Sequence, residues 1–194
     1  MDANVTLDRF KNNFLVLIDI CQEMVEEGSE NNISDISPTA FRIIKIIASK
    51  LRPNFLIERF ISKTHNYWDK IKEKDLSYFK GVGLDFLNFA DNNGIDNVIP
   101  SEDKGIFSGL KMDHINSFSK ILEGKYKDEN GNEVELFDDD KVEDVWKIMH
   151  SFVKQSIVYI HEQRQIVDNV PTKEYYSDIN LSENIKLWNI KKLM

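Results

Sequence analysis

The stretch "VEDVWKIMHSFVKQSIVYI", residues 142–160, decides the fold class. Val142, Val145, Trp146, Met149, Phe152, Val153, Ile157 and Ile160, with Ser156 among them, recur at three- and four-residue intervals. That spacing places them on one face of an α-helix. Asp138, Asp139 and Asp140 stand just ahead, where carboxylates suit the positive end of the helix dipole. A helix starting there is expected to span ~28 residues, or about 42 Å.

The same period recurs upstream. Leu7, Phe10, Phe14, Leu17, Ile18, Cys21, Met24 and Val25 predict a helix from Leu7 to Glu27, capped by Thr6 and ended by Gly28. Ser37-Pro38 predicts a helix start, because proline at the first helical position forfeits an N–H that has no partner there. Pro53 should break the pattern. Asn54 should then cap a helix that buries Leu56, Ile57, Phe60, Ile61, Tyr67, Trp68 and Ile71 and reaches Lys72 or Lys74. Short helices are expected at "DLSYFKGVG", "LDFLNFADNNG" and "MDHINSFSKILEG", and a last one in "LSENIKLWNIKKLM". The expectation is a single all-α globular domain over 1–194, of six to eight helices, with a small β-hairpin near 125–136 turned at Asn130-Gly131.

At 194 residues, with 41% apolar and 30% charged side chains, the chain can bury a core without staples. The lone Cys21 excludes an internal disulfide and falls on an apolar face, where a thiol acts as a small hydrophobe. "MDANVTLDRF" lacks the basic and apolar blocks of a secretion signal, and no run of ~18 apolar residues occurs. A soluble, intracellular protein with no membrane insertion is expected. The sequons at Asn4, Asn32 and Asn180 are then better explained as caps and turns.

Charge is uneven. Residues 1–40 carry eight acids and two bases, residues 41–80 ten bases and four acids, and residues 128–144 nine acids and one base. The last segment equals the net charge of −8. Such asymmetry fits either a docking surface or charged segments that neutralise each other within the fold.

"KDENGNEVELFDDDK", 127–141, invites comparison with a calcium loop: from Asp128 as position one, Asn130, Asn132 and Asp139 fall at positions three, five and twelve. Position six, which needs glycine for its sharp turn, is Glu133, and the normally apolar position eight is Glu135. A count from Asp91 fails likewise at Ile95 and Asp96. His150 and His161, three helical turns apart, stand about 16 Å from each other, too far for one zinc. His65 and His114 have no ligand at metal spacing. "GVG" at 81–83 lacks the strand and the further glycines of a phosphate loop. No catalytic, cofactor or metal residue is therefore assigned, and the reading leans away from an enzyme, with a cryptic one of unknown substrate as the furthest alternative.

Two surfaces remain. The favoured one is the acidic arm, Asp128, Glu129, Glu133, Glu135, Asp138, Asp139, Asp140, Glu143 and Asp144, facing a basic patch on a protein partner, on a second copy, or on the chain's own 41–80 helices. The alternative is nucleic-acid contact through Lys45, Arg52, Arg59, Lys63 and Lys70, disfavoured because the nearby aromatics fall on the buried helix face and the pI is near 5.1.

"LIERFISKTHNYWDKIKEKDLSYF", 56–79, through Phe60, Ile61, Trp68, Ile71, Asp75 and Phe79, resembles a phrase found in small helical proteins of large double-stranded DNA viruses. The resemblance implies a viral accessory or virion-associated protein, located in the virion or the infected-cell cytoplasm. It implies no catalytic residue.

Overall fold

The computed structural model describes residues 3–33, 38–78, 124–166 and 174–193. These form α1 (Ala3–Glu30), α2 (Pro38–Lys50), α3 (Pro53–Thr64), α4 (Trp68–Lys72), α5 (Asp139–Ile166), α6 (Glu174–Ser177) and α7 (Leu181–Leu187). A two-stranded antiparallel sheet, β1 (Lys125–Lys127) with β2 (Glu133–Glu135), completes a mainly all-α chain. The helices expected between 79 and 123, together with "GVG", His114 and the Asp91 loop, lie outside the described residues.

α5 begins at the expected aspartates and has the expected length, 28 residues, running past Ile160, the last residue of the apolar period, to Ile166. α1 does not begin at Thr6. The chain is already helical from Ala3, so Thr6 is an interior helical residue, 2% exposed. Gly28 does not end it either, because the chain continues to Glu30 and closes on Asn32, whose φ of 58° is left-handed. Asn32 N–H donates to Ser29 O (3.2 Å) and Ile33 N–H to Gly28 O (2.8 Å), the paired bonds of a Schellman cap. α7 ends the same way at Asn189, φ 50°, with Asn189 N–H donating to Lys186 O and Ile190 N–H to Ile185 O. Left-handed Lys74, φ 54°, follows α4. All three non-glycine residues with positive φ among those described thus terminate helices.

Arg52, not Asn54, holds the cap position of α3, because Pro53 takes the first helical position and forces its predecessor extended (φ −67°, ψ 134°). The long helix expected from there is broken at His65–Tyr67 by a 3₁₀ turn before α4. Most of its apolar face survives the break: Leu56, Ile57, Ile61, Trp68 and Ile71 are all buried, whereas Tyr67, in the 3₁₀ turn itself, is exposed and leaves that face.

The described residues group into two compact units, one within Met1–Asp19, Ile44–Lys74 and Glu143–Met194, the other within Ile20–Ile43 and Asp75–Val142. The first is centred on three phenylalanines. Phe10 of α1, Phe60 of α3 and Phe152 of α5 lie 4.5–5.6 Å apart by ring centroid, in tilted and edge-on arrangements that suit their quadrupoles. Polar cross-links surround them: Asn13 Nδ2 donates to Ser151 Oγ (2.8 Å), Tyr159 OH to Glu58 Oε1 (2.8 Å), and Lys11 Nζ to the carbonyl of Leu51 (3.0 Å).

The second unit packs Met24, Val25 and Leu136 together, with Ile20, Ile33, Tyr126 and Phe137 against them. Its hairpin pairs Tyr126 with Val134 on the half-buried side and sets lysines opposite glutamates on the exposed side. Tyr126 OH donates to Glu27 Oε1 at 2.7 Å, and this bond to a carboxylate raises the phenol's pKa.

Candidate interaction surface

The acidic arm is built from the hairpin loop, β2 and the start of α5. In the loop only Gly131 has positive φ, +80°, so the turn is not the type I′ pair expected of Asn130-Gly131. Gly131 N–H instead donates to Asp128 O (2.9 Å) and Asp128 N–H to Asn132 O (3.0 Å), a three-residue loop closed by a left-handed glycine. Asp128 organises it. Its Oδ1 accepts from the backbone N–H of Asn130 (2.9 Å) and of Asn132 (2.8 Å), and its Oδ2 from Asn132 Nδ2 (3.1 Å). Those bonds, led by the one from the Asn132 side chain, hold the carboxyl below its usual range. Both oxygens that a calcium loop would offer first are spent on the loop's own donors. Among the described residues no three His, Cys, Asp or Glu side chains gather as metal ligands.

Asp138 is the cap of α5. Its Oδ1 accepts from Lys141 N–H at 2.8 Å and its carbonyl from Val142 N–H at 2.9 Å, satisfying donors that a helix start leaves orphaned. The Lys141 N–H bond is the main reason its carboxyl titrates low. Lys141 Nζ lies 3.3 Å from both Asp138 and Glu27.

Lysines answer most of the remaining charge. Lys125 reaches Glu135 (2.8 Å) and Glu133 (3.1 Å), and these contacts, Glu135 first, raise its pKa. Lys74 pairs with Glu143, whose carboxyl is lowered by that bond, and Lys147 with Asp144 at 2.8 Å. Glu129 at the loop tip and Asp139 and Asp140 in the first turn of α5 are exposed and have no charge partner among the described residues. Of nine candidate acids, three are uncommitted.

The alternative basic set is scattered. Lys45 pairs with Asp19, Lys70 with Glu73 (3.4 Å), and Arg59 lies over the Phe55 ring at 5.6 Å. Arg52 precedes α3, and Lys63 is exposed on that helix with a partner of its own. Lys45–Asp19 and Arg42–Glu26 (3.2 Å) tie two bases of 41–80 to acids of 1–40. Neutralisation within the fold is therefore real for part of the asymmetry.

Two of the described histidines hold backbone carbonyls. His150 Nε2 hydrogen-bonds Ile71 O (2.9 Å) with its ring edge-on to Trp188, and His65 Nδ1 hydrogen-bonds Ile61 O (3.0 Å). Sequence reasoning missed the countercharges. Lys125 opposite Glu135 follows from the hairpin register once the loop is known, whereas Lys74 and Glu143, 69 positions apart, leave no local signal.

No family model, curated protein or solved structure matches this chain. No described helix is long and apolar enough to cross a membrane.

Proposed function

We propose that this chain is a non-enzymatic interaction or structural protein that docks a basic protein surface, on a partner or on a second copy, through Glu129, Asp139 and Asp140. The observation that carries the reading is the contrast within the arm. Six carboxylates are held by loop donors, a helix start or lysines, while these three stand exposed and uncommitted at the loop tip and the opening turn of α5. An accessory or virion-associated role, suggested by the sequence of 56–79, is compatible with this reading. Phe60, Ile61, Trp68 and Ile71 of that segment are spent on packing, so they offer no docking residue of their own.

The test is the triple neutralisation E129Q/D139N/D140N, compared with wild type by sedimentation velocity and by recovery of binding partners from the cell or particle of origin. Asp138 is left intact because it caps the helix. Loss of self-association or of a recovered partner is expected. Identical sedimentation and an identical partner set would sink the proposal.

A further inference from the structure

We infer that a recess in the first unit binds a doubly charged oxyanion of the phosphate class, free or as a small monoester. The recess, about 220 Å³, is bounded by the start of α1, the middle of α5 and the segment after α7. Among the described residues, Arg9 and Lys154 line it and no Asp or Glu does. No residue of the acidic arm takes part.

The packing of α1 on α5 brings the two cations to one place. Phe10 and Phe152 lie 4.5 Å apart by ring centroid, and Asn13 Nδ2 donates to Ser151 Oγ at 2.8 Å. Arg9 stands one turn before Asn13 and Lys154 one turn beyond Ser151, so each shares the helix face that makes this contact. Both are exposed.

Neither is neutralised. The residues three and four positions from Arg9 are Val5, Thr6, Asn12 and Asn13, and those from Lys154 are His150, Ser151, Ile157 and Val158. No acid therefore stands at helical contact spacing from either. Neither makes an ion pair among the described residues, whereas Lys70, Lys74, Lys125, Lys141 and Lys147 all do. The imbalance extends to the unit, whose segments hold seventeen Lys and Arg against thirteen Asp and Glu although the chain is net −8.

Charge and shape set the class of ligand. Val158 and Ile190, both buried, give the recess an apolar wall, and a cleft of one charge sign with such walls concentrates counter-ions. A dianion balances both cations, whereas a carboxylate leaves one uncompensated. A phosphate group also presents oxygens in several directions, which suits a forked guanidinium from α1 and an ammonium from α5. The volume lies below the roughly 300 Å³ at which drug-sized pockets begin, so the ligand is small.

The probe is inorganic phosphate, titrated into the full chain labelled with ¹⁵N at about pH 8, where the phosphate group is mainly a dianion, and followed by two-dimensional NMR. Sodium chloride holds the ionic strength constant, so that general screening does not change. Saturable shifts of the Thr6, Arg9, Ser151 and Lys154 amides are expected, with acetate binding roughly tenfold more weakly or worse. The R9Q/K154Q variant changes two exposed residues and should keep its far-UV circular dichroism while losing the phosphate shifts. K72Q, which removes an exposed lysine that does not line the recess, should bind as the wild type does. Methyl phosphate binding as tightly as inorganic phosphate would assign the site to a monoester, and weaker binding would assign it to the free ion. Shifts that do not saturate, equal binding of acetate, full binding by R9Q/K154Q, or an equal loss in K72Q would each overturn the inference.

Discussion

Replacing Asp138 with alanine removes the side chain that opens α5, and the structure sets the size of the effect. Its Oδ1 accepts the Lys141 N–H at 2.8 Å, a bond whose loss at a helix start costs about 1 kcal/mol. Its Oδ2 is 3.3 Å from Lys141 Nζ, but the Asp138 side chain is 45% exposed, so that contact adds only a few tenths of a kcal/mol. Lys141 also keeps Glu27 at 3.3 Å, which limits the loss further. The sum is about 1.3 kcal/mol, close to a tenfold change in the folded-to-unfolded ratio. With a urea slope of about 2 kcal/mol/M, the midpoint should fall by about 0.6 M. D138N keeps a good cap and should lose only the few tenths assigned to charge. Urea melts of the three proteins, followed by far-UV circular dichroism, give the comparison. The folded-state pKa of Asp138 lies below the ordinary carboxylate value. Its ionised form therefore contributes fully above about pH 4, and the contribution is lost as pH falls through the lowered value. The gap between wild type and D138A should close over that range. D138N and D138A melting together, or both melting with the wild type, would refute the capping argument.

Other expectations rest on separate features. F152A should destabilise the chain by about 3–5 kcal/mol, seen in the same urea assay, because it vacates the contact that Phe152 makes with both Phe10 and Phe60. G131A has open space for its methyl, so its cost of about 1 kcal/mol is backbone strain at φ +80°; it should appear as faster amide exchange across Tyr126 and Val134. Burial pushes the Cys21 thiol up to about 11, so alkylation by iodoacetamide at pH 8 should run roughly 100-fold slower than for a free cysteine and quicken as pH approaches that value. Alkylation at the rate of a free thiol would show Cys21 to be accessible and ionised.

Helical elements were legible where one face carried an unbroken period. α5 was placed nearly to the residue because Val145 to Ile160 repeat cleanly beneath an aspartate-rich start. Ends were misread where a residue of capping type lies inside a helix. Thr6 and Gly28 look like punctuation, but neighbours on both sides are helical and the stop falls at Asn32, where a left-handed asparagine does what glycine usually does. The break at His65–Tyr67 was hidden because residues on both sides of it still feed the same buried face. For the acidic arm, composition marked the segment but not which acids were free, since that depends on Lys74 and on the hairpin register.

The commitment of six of the arm's nine carboxylates has a consequence for how any association there would respond to ionic strength. A surface presenting nine free charges would lose its grip steeply as the Debye length shrinks from about 30 Å at 0.01 M salt to about 8 Å at physiological strength. Only Glu129, Asp139 and Asp140 stand open, and the lysines at Glu133, Glu135, Glu143 and Asp144 already supply counterions built into the chain. Binding through this arm should therefore have a shallow salt dependence, set by about three charges.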